Sequence, residues 1–166
     1  SREQIKNIAE IGILTGSGVA IWSELYPNAQ VHGFDLNLDN TLSNMPFLKS
    51  KGAFCSENLI LHKLDQLHIG NKIDQLKVSF DLVIDDGYHN DKASIETWKA
   101  FEPHLNTDAV YIVEDCPCEA MKRILQTEYK DYKVDFQDTS KVRRNSYMLV
   151  VTKKDKFARI KPSNRN

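Results

Sequence analysis

Short apolar runs alternate with helix-like segments along most of the chain. Runs rich in Val, Ile and Leu are typical of strands that a parallel sheet buries on both faces. Between them, apolar residues recur at about every third or fourth position, as on the buried side of a helix. Strands are predicted over residues 7–13, 30–34, 59–63, 80–85, 109–113, 132–136 and 147–151. Helices are predicted over residues 19–26, 38–51, 91–104 and 119–129, with a short helix inside 67–76.

This order of elements predicts an α/β fold, a Rossmann-like doubly wound sheet of seven mostly parallel strands with helices on both faces. No helix separates the last two strands, so we expect the last strand to be antiparallel. A chain of 166 residues fits one domain, to which we assign residues 1–152. Residues 153–166 carry six basic residues and one acid, which predicts a flexible basic tail.

Composition and charge narrow the classes of partner. The formal net charge is −1, so the whole molecule is not an electrostatic trap for nucleic acid, and only a weak contact by the basic tail is left open. The sequence has no apolar run long enough for a bilayer and no signal-peptide pattern, so no membrane partner is expected. Three cysteines, Cys55, Cys116 and Cys118, indicate reduced thiols in a cytoplasmic protein.

A glycine-rich segment joins the first predicted strand to the first helix, in the order Glu10-x-Gly12-x-x-x-Gly16-x-Gly18. Glycine lets a backbone approach a ligand closely, and Asp35, at the end of the second strand, can accept hydrogen bonds from a ribose. The spacing differs from that of a diphosphate-binding loop, and an acid beside it would repel a diphosphate. The segment suits S-adenosylmethionine, which carries an ammonium and a sulfonium group. A glycine-rich turn without a ligand stays open as the alternative.

The fourth predicted strand ends in a cluster of polar residues, Asp85, Asp86 and His89. In an open α/β sheet, ligands bind outside the carboxyl ends of the strands. Carboxylates and an imidazole are costly to bury there, so we interpret them as functional. The alternative is that Asp85 or Asp86 caps the following helix. Asp65, after the third strand, lies near the adenine of a bound nucleoside or merely forms a turn.

The fifth predicted strand also ends in two acids, Glu114 and Asp115. If the fourth and fifth strands are neighbours, Asp86 meets both of these acids at one edge of the sheet. Three carboxylates repel one another unless a cation lies between them, and hard oxygen ligands suit Mg²⁺, Ca²⁺ or Mn²⁺. The acids alternatively fan apart toward solvent, or one of them is protonated.

Four segments together resemble the class I S-adenosylmethionine-dependent methyltransferases. They are Glu10-Ile11-Gly12, Asp65-Gln66, Val83-Ile84-Asp85-Asp86-Gly87-Tyr88-His89 and Tyr111-Ile112-Val113-Glu114-Asp115. The likeness is greatest to the metal-dependent sugar O-methyltransferases of the macrocin and mycinamicin type and to the related cephalosporin-pathway protein. It covers about residues 7–115, and the remaining strands fit the same fold.

The resemblance implies a role for each matching residue. In that family the second Asp of the Asp-Asp-Gly-x-His motif and both acids of the later pair hold Mg²⁺, which implies a metal site of Asp86, Glu114 and Asp115. The histidine of the motif is the proposed general base, which makes His89 and Asp86 the catalytic candidates. The implied cofactor-binding residues are Glu10, Gly12, Gly16, Asp35, Asp65 and Asp85.

The expected activity is methyl transfer from S-adenosylmethionine to a hydroxyl of a small molecule, a sugar or a vicinal diol. The family usually has Ser where Tyr88 stands, Gly-Gly where Thr107-Asp108 stand, and a longer acceptor-binding segment in place of residues 116–118, which leaves the acceptor open. A homo-oligomer is also left open. Two other classes remain: a nicotinamide-dependent oxidoreductase on the same sheet, and a non-catalytic binding domain with a methyltransferase-like fold.

Overall fold

A twisted seven-stranded sheet forms the centre of the molecule. The computed structural model describes residues 2–115, 118–138 and 147–154. The strands are β1 (Asn7–Ile11), β2 (Gln30–Asp35), β3 (Leu59–Lys63), β4 (Phe80–Asp85), β5 (Leu105–Glu114), β6 (Tyr132–Asp138) and β7 (Tyr147–Lys153). Their order across the sheet is β3-β2-β1-β4-β5-β7-β6.

The strand pairing confirms the predicted topology. Strands β1 to β5 pair in parallel. Strand β7 lies between β5 and β6 and runs antiparallel to both. The chain moves outward from β1 through β2 to β3, then crosses back to place β4 on the other side of β1. The loops that follow β1 and β4 therefore leave in opposite directions, which opens a crevice at the carboxyl ends of these two strands.

Helices cover both faces of the sheet. They are α1 (Ser17–Leu25), α2 (Asp39–Ser50), α3 (Lys72–Leu76), α4 (Asp91–Phe101) and α5 (Glu119–Glu128). Apolar residues of α3, α4 and α5 join one core cluster, while α1 and α2 pack on the opposite face. At the start of α4, the Asn90 side chain accepts a hydrogen bond from the Ala93 N–H at 3.0 Å, the usual contact of a helix N-cap.

Several boundaries differ from the predicted ones for local reasons. Strand β1 ends at Ile11 rather than at residue 13, because Gly12 turns the chain with φ of 87°. The predicted helix over 91–104 finishes as a 3-10 turn over Glu102–His104, where Pro103 lacks the N–H that an α-helix needs. Strand β5 begins four residues earlier than predicted. The predictions for Cys116, for the connection between β6 and β7 and for the tail after residue 154 lie outside the described residues.

Among the helices of the described residues, none has both the length and the apolar character that crossing a membrane requires.

Two stacked histidines pair β2 with β3 inside this sheet. The ring of His32 is buried, and its Nδ1 lies 3.0 Å from Nε2 of His62. The ring also meets the edge of Phe80. Burial, followed by the neighbouring His62, lowers the pKa of His32 from 6.5 to about 4, and burial lowers the pKa of His62 as well. Both rings are therefore neutral in the folded protein at neutral pH.

We expect the histidine pair to weaken the fold in acid. Between pH 6.5 and about 4, His32 is protonated in the unfolded chain and neutral in the folded one, so its contribution to the free energy of unfolding falls as the pH drops through this range. The full fall from this residue is about 2 kcal/mol. The raised pKa values of Glu10 and Asp85 act in the opposite direction, and they are common to the wild type and His32→Phe. On going from pH 7 to pH 4.5, urea denaturation should therefore give a less favourable change in the free energy of unfolding for the wild type than for His32→Phe.

A buried residue that does not titrate supplies the control for this comparison. Phe101→Leu removes buried aromatic packing but no titratable group, so it should keep the wild-type change between the two pH values. An equal change in His32→Phe and the wild type would contradict the assignment of this pH dependence to the buried pair.

Candidate active site

A cavity of about 420 Å³ opens at the carboxyl ends of β1, β2 and β4. Its wall is formed by Ile11, Gly12, Leu14, Phe34, Asp35, Leu36, Asn37, Leu64, Gln66, Asp86, Gly87, Tyr88 and His89. Four of the residues that the sequence predicts for the site are among them, namely Gly12, Asp35, Asp86 and His89. The cavity occupies the crevice that the strand order creates, where open α/β sheets bind their ligands.

Gly12 lets the loops after β1 and β4 touch. Its N–H donates to the Phe34 carbonyl at 2.8 Å, and the Asp86 N–H donates to the Ile11 carbonyl at 2.9 Å. A Cβ atom on Gly12 would collide with the backbone of Asp86 and Gly87. Gly12 also has φ of 87°, which a residue with a side chain rarely adopts. The glycine is therefore needed for the approach of two backbone segments at the base of the cavity.

Asp35 holds the loop after β1 and the loop after β2 in place. Its Oδ2 accepts the N–H of Leu14 at 2.9 Å, and its Oδ1 accepts the N–H of Asn37 at 3.0 Å. Leu14 has φ of 44°, an unfavourable conformation for a leucine, and the bond from its N–H to Asp35 helps to maintain it. The carboxylate lies in the wall of the cavity, where its remaining lone pairs can accept hydrogen bonds from a ligand.

Gly16 serves the packing of the helices rather than the cavity wall. It precedes α1 with φ of 81°, and a Cβ atom there would lie 2.9 Å from Cγ2 of Thr41 on α2. The Thr41 hydroxyl in turn donates to the Leu14 carbonyl at 2.8 Å. Gly16 thus brings α2 against the glycine segment, and it lies outside the cavity lining formed by the described residues.

Glu10 lies beneath the cavity, on the α1 face of the sheet. Its side chain is buried against Gly18, where a Cβ atom would collide with the carboxylate. Burial raises its pKa from 4.5 to about 8, and the nearby charges of Asp86 and Glu114 add to this effect. Its Oε2 has no hydrogen-bond partner among the described residues. With a pKa of about 8, Glu10 is largely protonated at neutral pH, and the negative charges that act on it are those of Asp86, directly after β4, and Glu114, at the end of β5.

His89 stands between the ends of β4 and β5. Its Nδ1 lies 3.3 Å from the Glu114 carbonyl oxygen and 3.9 Å from Oδ1 of Asp86. A carbonyl oxygen can only accept, so the neutral ring carries its hydrogen on Nδ1 and keeps the lone pair on Nε2. His89 is half-exposed in the cavity wall. Its Nε2 is therefore suited to take a proton from a bound ligand.

The predicted metal-binding acids follow adjacent strands, as expected. The pairing of β4 with β5 ends with Asp85 opposite Val113, so Asp86 and Glu114 are the next residues along these two neighbouring strands. Asp115 turns away from β5 with φ of 53°, and its N–H donates to the Tyr147 carbonyl at 2.9 Å. The donor set consists of hard oxygens, which suits a divalent cation chemically. Within the described residues, however, no three His, Cys, Asp or Glu side chains are grouped so that they could hold a metal ion.

Two other predicted cofactor residues support loops instead of lining the cavity. Asp85 is buried behind Gln66, and burial raises its pKa to about 6. Asp65 caps the 3-10 turn that follows β3, accepting the Leu67 N–H at 2.9 Å and lying 2.8 Å from Nδ1 of His68. The hydrogen bond with His68 lowers the pKa of Asp65, and the one from Leu67 adds to this. The contacts of Asp65 are therefore those of a turn residue, which was one of the two interpretations that the sequence left open.

From the sequence alone, neither Gln66 nor most of the apolar residues of the cavity wall were assigned a role in the site. Leu14, Leu36 and Tyr88 expose apolar surface at the mouth of the cavity. Apolar residues in loops have no distinctive spacing, so the sequence offered no signal for the leucines. Gln66 had one signal, because it directly follows Asp65 at the carboxyl end of β3.

Comparisons with known proteins bear on the fold. No protein-family model matches the sequence, and no curated protein matches it at a significant level. Among solved structures, the O-methyltransferase TomG from Streptomyces achromogenes, in complex with S-adenosylmethionine, superposes with a TM-score of 0.70 and 16% identity over 91% of this chain and 74% of that one. A putative rRNA-methylase from Clostridium thermocellum superposes with a TM-score of 0.66 and 16% identity, over 89% of this chain and 86% of that one.

MycE from the mycinamycin biosynthetic pathway is a third similar structure, solved with Mg, S-adenosylhomocysteine and mycinamycin VI. It gives a TM-score of 0.65 and 17% identity over 94% of this chain. The fold is that of the methyltransferases. This chain matches only 47% of MycE, so the similarity concerns one part of that protein.

We expect Gly12→Ala to destabilise the protein far more than Gly52→Ala. Both glycines have similar positive φ, at 87° and 90°, but a Cβ atom on Gly52 has open space around it. The control therefore measures the backbone strain alone, about 1 kcal/mol. The clash with the Asp86 backbone should add about 2 kcal/mol or more at Gly12. Equal losses in urea denaturation would contradict the close approach of the two loops.

Proposed function

We propose that this protein is an S-adenosylmethionine-dependent O-methyltransferase, assisted by a divalent metal ion, that acts on a hydroxyl of a small molecule such as a sugar or vicinal diol. The observation that carries the proposal is the composition of one cavity. The cavity wall contains Gly12 and Asp35, which suit a nucleoside. It also contains Asp86 and His89, which suit proton transfer. The methyltransferase fold and the solved complexes of TomG and MycE support it.

The charge of the site favours a cationic cofactor. The carboxyl-bearing residues Asp35 and Asp86 lie in the cavity wall, and the charges of Asp86 and Glu114 act on the neighbouring Glu10. A dinucleotide would bring a negatively charged diphosphate into this field, whereas S-adenosylmethionine brings an ammonium and a sulfonium group. This electrostatic difference favours methyl transfer over the nicotinamide-dependent alternative. In this proposal Asp35 accepts hydrogen bonds from the ribose, and Gly12 allows the methionine part to approach the backbone.

His89 would act as the general base. When bound, S-adenosylmethionine would supply the methyl group to the acceptor oxygen, and its sulfur would keep the electron pair of the broken carbon–sulfur bond. The hydroxyl proton passes to Nε2 of His89, whose Nδ1–H is directed at the Glu114 carbonyl. The protein aligns oxygen, methyl carbon and sulfur for this displacement.

The acids after β4 and β5 would hold the metal ion. Asp86, Glu114 and Asp115 supply carboxylates of the type that Mg²⁺ prefers. After burial, the charges of Asp86 and Glu114 contribute to the raised pKa of Glu10, which supports the placement of these two acids close together at this edge of the sheet. A bound divalent cation would lower the pKa of a coordinated hydroxyl. MycE, which was solved with Mg, adds support by analogy.

A binding domain without catalysis is the second candidate. It is favoured by one observation: the described acids are not grouped as three ligands around one point. Such a domain would bind the nucleoside and form no methylated product. The two experiments below separate it from the enzyme.

We predict that S-adenosylhomocysteine binds in the cavity and that NAD does not. Isothermal titration calorimetry should give a measurable dissociation constant for the first ligand, and Asp35→Asn should weaken binding by about tenfold or more, the worth of a good hydrogen bond to a charged group. Asp39→Asn is the matched control, because Asp39 is exposed at the start of α2. Binding of NAD in preference to S-adenosylhomocysteine would contradict the proposal.

We predict that Asp86→Asn abolishes metal-dependent methyl transfer and leaves cofactor binding within about threefold, because the removed charge serves the metal and the acceptor. Transfer of a radioactive methyl group to a panel of sugars and catechols measures the first effect, and calorimetry measures the second. Asp39→Asn should retain turnover. Equal turnover with and without a chelator would contradict the metal role, and cofactor binding without any product would favour the binding domain.

A further inference from the structure

Gln66 is a buried amide that touches the loop carrying Asp86 and His89. Only 4% of the residue is exposed, although it belongs to the turn after β3 rather than to a core strand. Its Nε2 lies 2.6 Å from Oδ1 of Asp85 and 2.9 Å from the Thr97 hydroxyl. Its Oε1 lies 2.8 Å from the backbone nitrogen of Tyr88. A buried polar side chain with this many hydrogen-bond partners is held in one conformation and restricts the positions of its partners.

The partners determine the orientation of the amide. The Tyr88 N–H can only donate, so it requires Oε1 of Gln66. The Thr97 hydroxyl gives its own hydrogen to the Ala93 carbonyl at 2.9 Å, so it must accept from Gln66 Nε2. Asp85 accepts the other hydrogen of Nε2. Both hydrogens of the amide nitrogen and the amide oxygen are thus used, and a flipped amide would break all of these contacts.

These bonds join parts of the molecule that are distant in sequence. Asp85 ends β4, Thr97 lies on α4, and Tyr88 lies between them, whereas Gln66 comes from the far side of β1 and β2. A Cβ atom on Gly87 would collide with Gln66 Oε1, so the loop lies directly against the amide. The contact of Gln66 with Tyr88 therefore holds the backbone from residue 86 to residue 89 at a set position over the sheet.

We propose that Gln66 is a positioning residue that fixes the loop over residues 86–89, and with it the placement of Asp86 and His89 in the cavity. The catalytic part of this inference rests on the proposed function, whereas the positioning of the loop does not. Gln66 also lies in the cavity wall, so its effect on the loop has to be separated from a direct contact with the cofactor.

The pair of Gln66 and Asp85 permits a swap experiment. Gln66→Glu places a carboxylate against the Asp85 carboxylate and should expel the side chain from its site. In the double variant Gln66→Glu with Asp85→Asn, the new amide donates to the new carboxylate, and the Tyr88 N–H again has an acceptor. The asparagine then turns its nitrogen toward the glutamate and its oxygen toward Tyr111, whose hydroxyl neighbours position 85 and can donate.

Hydrogen exchange of the Tyr88 amide, measured by NMR, tests the positioning directly. We expect the Tyr88 amide to exchange at least tenfold faster in Gln66→Glu than in the wild type. In the double variant, its exchange rate should be within about threefold of the rate in Asp85→Asn alone. Gln75→Glu is the matched control, because Gln75 is exposed and should leave the Tyr88 amide unchanged. Gln66→Met, which removes the hydrogen bonds without adding charge, gives the same test if the glutamate variant fails to fold.

Turnover and binding then test the catalytic part. We expect kcat for methyl transfer to fall at least tenfold in Gln66→Met, while the dissociation constant of S-adenosylhomocysteine stays within about threefold of the wild-type value. In the double variant, kcat should recover relative to Gln66→Glu. Unchanged exchange at Tyr88 in both single variants at position 66 would overturn the proposal. A loss of cofactor affinity as large as the loss of kcat would overturn it too, because Gln66 would then act as a ligand contact. Absence of turnover in the wild type would overturn the proposed function and leave the exchange result standing.

Discussion

The close approach of two backbone loops, after β1 and after β4, is the constraint on which the site depends. Parallel pairing brings Ile11 beside Asp85, and the Asp86 N–H extends this pairing by one bond to the Ile11 carbonyl. Beyond this bond the loops diverge, because the helices that follow them pack on opposite faces of the sheet. Gly12 makes the divergence sterically possible, since a side chain there would meet the Asp86 backbone. The cavity is the space that opens above this contact.

Acidic side chains are concentrated at the same edge of the sheet. Glu10, Asp86 and Glu114 come from three neighbouring strands, and their mutual repulsion adds to burial in raising the pKa of Glu10. Carboxyl groups with strongly shifted pKa values are typical of functional sites. The buried Gln66 then holds the loop with Asp86 and His89 against the sheet, so that the charged groups keep a defined placement.

The sequence predicted the fold well because buried parallel strands and amphipathic helices have distinct periods. The doubly wound, mostly parallel sheet and its antiparallel last strand were predicted from the connections, and the structure agrees. The site was predicted less completely. Acids and glycines at strand ends are visible in the sequence, but the direction of a side chain depends on the face of the strand and on local turns. Asp85 thus points into the protein beside Gln66, and Asp65 caps a turn.

A crystal structure of the protein grown with S-adenosylhomocysteine and Mn²⁺ would decide whether the cavity binds a nucleoside beside a metal ion. We expect electron density for the nucleoside between Gly12 and Asp35, and an anomalous Mn²⁺ peak beside Asp86 and Glu114. An empty cavity at saturating ligand, or a nucleoside bound elsewhere on the chain, would contradict this expectation.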